Sequence, residues 1–215
     1  MDVYQDQSEG FPNPRVHPFV AIRRGETGFV DFKHHPERIA EVLEDFVALG
    51  HEPAIQTFYR FLAWLNGPDS LLESCDCALR GPEPHDFKYS QRLLSVHGRV
   101  MLMHRDLSKN CDERFELLYN SMGRELSSID RELTRNQGVV GFACSPAVYK
   151  DLIPSPHYKN GKIISRSGGP GRGYQAMLLF KAFGDDADEA FKNLDRVFKN
   201  IEMACRRTSE KLQAR

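Results

Sequence analysis

The sequence predicts one domain of α/β class, a central sheet of short strands with helices packed on it; an α+β arrangement of the same elements is also compatible. Three observations carry that expectation. Short apolar runs of strand length alternate with stretches whose apolar residues recur at helical spacing, which is the pattern of a sheet covered by helices. The 215 residues suffice to bury roughly 70% of the unfolded surface in one core without metal or disulfide staples. The five cysteines contain no C-x-x-C pair and the odd number makes a poor disulfide framework, so thiols are expected and two-pair structural zinc is not.

Along the chain, residues 1–15 form a polar arm and 16–215 the domain. Pro18-Phe-Val-Ala-Ile22 and Gly28-Phe-Val-Asp-Phe32, separated by Arg24-Gly25-Glu26, predict a hairpin. Pro36 opens a helix whose stripe is Ile39, Val42, Leu43, Phe46 and Val47, and Gly50 closes it. Residues 54–65 are apolar nearly throughout; their length favours a helix over a strand. Between 67 and 90, prolines and glycines bracket a short helical run, Leu71 to Leu79, and mark the segment as a possible insertion. Arg99 to His104 is a buried central strand. Phe115, Leu118, Tyr119, Met122, Leu126, Ile129 and Leu133 lie on one helical stripe, with Asp112 and Glu113 suited to its first turn. Val139 to Cys144 predicts a strand broken at Ser145-Pro146, and Gln175 to Phe180 another strand. Asp185 to about Arg207 is the last helix, striped by Phe191, Leu194, Phe198, Ile201 and Cys205.

Composition narrows the partner. Lys+Arg and Asp+Glu nearly cancel, 29 against 30, which argues against a nucleic-acid footprint. The polar start lacks the basic and apolar regions of a secretory signal, and no stretch approaches the roughly 20 apolar residues of a membrane helix, so the expectation is a cytoplasmic protein with a small-molecule substrate, no membrane and a possible homodimer.

The segment from Phe142 to Tyr174 is the most site-like, being longer than the 12–15 residues of an ordinary connection and rich in His, Arg, Lys, Tyr and Gly. Its Gly168, Gly169, Gly171 and Gly173, around Arg172 and after Lys162 and Arg166, offer backbone N–H groups and cations to a phosphate or carboxylate. The spacing matches neither a P-loop nor a dinucleotide fingerprint. A transferase holding phosphate on this run is therefore one alternative, and a cofactor-free binding or immunity-type protein using it for recognition is another. Among eight histidines, His104 stands at a strand end beside Arg105 and Asp106, and His157 stands inside the segment, where it suits an axial position on haem iron with Arg166 or Arg172 pairing a propionate. Cys144 is a candidate thiolate ligand or nucleophile; Ser145 has no G-x-S-x-G context. His34-His35 suits a helix cap or the surface.

Val100-Met-Leu-Met103, Phe115-Glu-Leu-Leu-Tyr119, Phe142-Ala-Cys-Ser-Pro-Ala147, Ser155-Pro-His157, Ser165-Arg-Ser167 and Ala176-Met-Leu-Leu-Phe180 follow an order that resembles the YqcI/YcgG family, as do Pro18 to Ile22 and Arg24 to Phe29 at the start. Phe11-Pro12 is followed by Asn13 where that family often has cysteine, and the basic stretch is richer in glycine. The resemblance implies a haem-dependent N-oxygenase that hydroxylates an amine or guanidine nitrogen of an amino-acid-derived metabolite in a biosynthetic pathway. It further implies His157 as the first axial (metal) ligand, His104 and Cys144 as alternatives, Arg166 and Arg172 on propionates or a substrate carboxylate, and Asp106 on a substrate amine.

Overall fold

A computed structural model describes residues 2–6, 15–17, 53–85, 90–110, 112–149, 157–159, 162–164 and 172–214. In chain order the elements are β1 (Asp2–Asp6), β2 (Arg15–His17), α1 (Pro53–Asn66), β3 (Leu72–Pro84), β4 (Leu94–His104), a 3-10 turn (Leu107–Lys109), α2 (Asp112–Ser128), β5 (Gly138–Tyr149), β6 (His157–Lys159), β7 (Lys162–Ile164), β8 (Arg172–Gly184) and α3 (Ala187–Gln213). The expected hairpin at 18–32 and helix at 36–50 lie outside the described residues.

The main sheet has the order β1-β5-β8-β4-β3, with β2 also on β5. The strands β5, β8, β4 and β3 are antiparallel, while β1 and β2 join β5 in parallel, so residues of the polar arm enter the sheet. Helices pack on this sheet, and the fold is the expected α/β domain.

The strands are longer than the short runs expected: β3 and β8 have 13 residues, β5 has 12 and β4 has 11. In β4 the first half alternates rather than running apolar, with Val96 and Val100 in the core and Ser95, His97 and Arg99 off it. Period-2 side-chain placement, with the described helices packed on one face, explains why the apolar run marked half of the strand.

Residues 72–79 belong to strand β3, not to a short helix. Ser74, Cys75, Asp76 and Cys77 are weak helix formers, and pairing with β4 satisfies their backbone. A register shift between Ser74 and Asp76 marks a bulge at Cys75. Pro146 does not break β5 either. Tyr174, its partner on β8, sends its N–H away from β5 to the Asn110 carbonyl, so the Pro146 nitrogen must also point away from β8. On that outer side, among the described residues, β1 pairs through Ala143 and β2 from Ala147, so proline's missing donor costs the β5–β8 ladder nothing.

The helix at 54–65 is confirmed. Gln56, Arg60 and Ala63 are exposed at helical spacing while Ile55, Phe58, Phe61, Leu62 and Leu65 are buried. α2 ends near Asp130, a non-glycine residue at φ 38, whose carboxylate is fixed by Arg196 and Asn200 of α3. The final helix starts on the cap Asp186, whose side chain accepts from the Glu189 N–H, and it runs past Arg207 to Gln213. One core joins the three helices to Val100, Leu102, Val140, Phe142, Ala176, Leu178 and Phe180 on a single face of the sheet. No described helix is long and apolar enough to cross a membrane.

Candidate functional site

β4 and β5 run toward the same end of the sheet, and β8 begins there, because β8 is antiparallel to both. That end gathers the terminus of β4 at His104, the 3-10 turn behind Asp106, the start of α2, the end of β5 at Tyr149 and the start of β8 at Arg172. The 150–171 connection leaves and returns at this end, and within it His157–Lys159 pairs with Lys162–Ile164 as a separate two-stranded ribbon.

His104 is 4% exposed. Its backbone is locked by one side chain: Asn110 Oδ1 accepts from the His104 N–H at 2.8 Å, and Asn110 Nδ2 donates to the His104 carbonyl at 2.8 Å. Asn110, itself buried, in turn offers its carbonyl to the Tyr174 N–H at 2.7 Å, tying the turn to β8. Burial pushes the imidazole pKa down to about 4, with the Lys109 cation adding to the shift; the ring is hydrogen-bonded to the Arg114 main chain in the first turn of α2, yet its Nε2 has no hydrogen-bond partner. The ring is therefore a neutral imidazole at neutral pH with one nitrogen unused.

Asp106 is exposed and already engaged. Its Oδ1 accepts from the Ser108 hydroxyl at 2.6 Å and the Ser108 N–H at 3.1 Å, and the Ser108 hydroxyl is the main reason its carboxyl titrates below the usual range. Its Oδ2 lies 3.9 Å from Lys109 Nζ. It is the cap of the 3-10 turn, with an ion pair on its second oxygen.

Cys144 stands opposite Ala176 and packs against the main core, on the helix-covered face of the sheet. Arg172 opposes Val148 and Gly173 opposes Ala147, so the last residues of the glycine-arginine run are strand rather than loop. Arg166 and Gly168 to Gly171 lie outside the described residues, as does the His157 side chain, whose backbone sits opposite Ile164. The topology thus brings His104, Asp106 and Arg172 to one end of the sheet and puts Cys144 farther along β5.

The residues present suit haem in one respect. Iron takes a neutral imidazole nitrogen, and His104 Nε2 is a buried nitrogen of that kind without a partner. Among the described residues no group of three or more His, Cys, Asp or Glu is placed to hold a bare metal ion, and a haem ligand needs no such group.

Sequence reasoning missed the opposite face of the sheet. There Glu73, Asp76, Ser145 and Gln175 are buried beside Met101, Met103 and Met177. Arg99 Nε donates to Asp76 Oδ2 at 2.9 Å, and the Cys75 thiol donates to Gln175 Oε1 at 3.0 Å. The signal was available as alternation, Glu73 with Cys75 and Asp76, and Gln175 with Met177, but the bulge at Cys75 hid its period. Compared with protein-family models, with curated proteins and with solved structures, the chain finds no match.

Proposed function

We propose that this protein is a haem-dependent oxygenase of the cytoplasm that hydroxylates an amine or guanidine nitrogen of an amino-acid-derived metabolite. The observation that carries the reading is the unpartnered Nε2 of the buried, neutral His104 at the sheet end from which the 150–171 connection departs. The resemblance of the strand, helix and Ser-Pro order to the YqcI/YcgG family supplies the reaction class.

Bound haem would supply oxygen activation. The chain's own contribution starts with His104, the axial ligand that best fits the donor chemistry. Asn110 holds its backbone from both sides and burial keeps its ring unprotonated. His157, on the ribbon within the 150–171 connection, is the alternative ligand. Arg172 and Arg166 would pair propionates or a substrate carboxylate, since a guanidinium binds carboxylate in a two-pronged geometry. Asp106, kept ionised by Ser108, is available through Oδ2 to a substrate ammonium that displaces Lys109.

Reconstitution of the purified chain with haemin, followed by visible absorption, tests the proposal. A Soret band that is lost in His104→Ala and kept in His157→Ala is expected, together with hydroxylamine or more oxidised nitrogen products from candidate amino acids in the presence of a reductant. Absence of a Soret band in the unsubstituted chain would overturn the haem assignment, and loss in His157→Ala alone would move the ligand to the ribbon.

A further inference from the structure

The far face of the sheet holds a donor that the fold leaves unused. Gln175 is 3% exposed, and its Nε2 has no hydrogen-bond partner. Its other amide atom, Oε1, accepts from the Cys75 thiol at 3.0 Å, and the same sulfur lies 3.5 Å from the Met101 carbonyl oxygen. The bulge that places Cys75 on this face therefore fixes which way the Gln175 amide points. Buried polar groups nearly always find a partner, because an unmet donor loses its bonds to water and regains none.

Ser145, fully buried, stands on β5 directly opposite Gln175 of β8, and Met101 stands opposite Met177 on the same face. One oriented N–H donor beside a hydroxyl and thioether side chains is the composition of a small-molecule subsite, in which apolar walls surround a few placed polar groups. We propose that the Gln175 amide is the hydrogen-bond donor of a ligand subsite on this face. It takes an acceptor oxygen, because Nε2 donates and cannot accept, and a carboxylate and a carboxamide carbonyl are the two acceptor chemistries that the test separates. Cys75 is its positioning residue. His104 is on the opposite face, so this subsite stands apart from the haem reading.

The test is side-chain amide NMR on the uniformly ¹⁵N-labelled chain, which has seven glutamines to serve as mutual references. The Gln175 signal is assigned by its disappearance in Gln175→Glu, with Gln175→Met as a second variant should the first fail to fold. Sodium acetate and acetamide are titrated separately, against sodium chloride at equal ionic strength. Saturable movement of the Gln175 pair with either probe, several-fold weaker in Cys75→Ala, is expected; acetate alone would identify a carboxylate ligand and acetamide alone a carboxamide. No saturable movement with either probe, or movement matched by Gln213 or by the chloride control, would overturn the subsite.

Discussion

At the scale of single residues, His104 has the most distinct physical signature. Its folded pKa, about 4, lies below the ordinary value of 6.5, so the unfolded chain binds the proton more readily. The neutral ring costs nothing above about pH 6.5, and stability falls as pH drops from there toward 4. A gap of that size corresponds to about 3 kcal/mol lost across the window. Urea unfolding at pH 7 and pH 4 should show that loss in the unsubstituted chain and a smaller one in His104→Gln; equal losses would mean the ring is protonated in the fold. The residue type and its strand-end place were legible in the sequence. Its burial and idle nitrogen were not, because they depend on Asn110 and the first turn of α2 arriving around it.

At the scale of elements, two local features can be weighed. Gly98 on β4 leaves room for its neighbours: a Cβ there would meet the Ala78 carbonyl oxygen of β3 at 2.0 Å and the Phe180 ring at 2.7 Å. Gly98→Ala should therefore lower stability by about 3 kcal/mol, the upper end of the usual cost of overfilling a close-packed interior, measured by denaturant unfolding. The long last helix depends on its cap. Asp186 accepts from the Glu189 N–H at 2.8 Å, and Glu189 returns a carboxylate oxygen to the Asp185 N–H at 2.9 Å. Asp186→Ala should cost about 1 kcal/mol, seen as a lower thermal midpoint. Helices α2 and α3 were legible because apolar stripes of period 3.6 depend on local sequence alone, and α1 was read from the length of its apolar run. The strand β3 was not legible: its Leu72 to Leu79 residues fit a helical spacing, and only pairing with β4, whose own first half lacks an apolar run, makes them extended.

At the scale of the whole molecule, aromatic packing ties the layers together. Phe198 of α3 packs tilted against Phe58 of α1 at 5.0 Å and meets Phe180 of β8 edge-on at 4.7 Å, so the last helix and the sheet close one core. A ligand that binds only the closed core should raise its thermal midpoint. If haem binds as proposed, reconstitution should shift that midpoint upward in proportion to the logarithm of free haem concentration, and His104→Ala should abolish the shift. An unchanged midpoint alongside a Soret band would point to surface haem instead.

The sequence by itself determined the class of the fold, the three described helices, the second half of β4, the first half of β5, the centre of β8 and the place of His104 at a strand end, whereas the antiparallel topology brought His104, Asp106 and Arg172 to one end of the sheet. The former follow from local periodicity and from the rule that strand ends carry sites. Only the tertiary structure decided that β5 continues through Pro146, that β3 is a strand, and that Gln175 and Cys75 turn a polar group toward the far face. Each of those depends on which strand lies alongside, a non-local pairing that satisfies or spares a backbone N–H, and no window of sequence contains both partners.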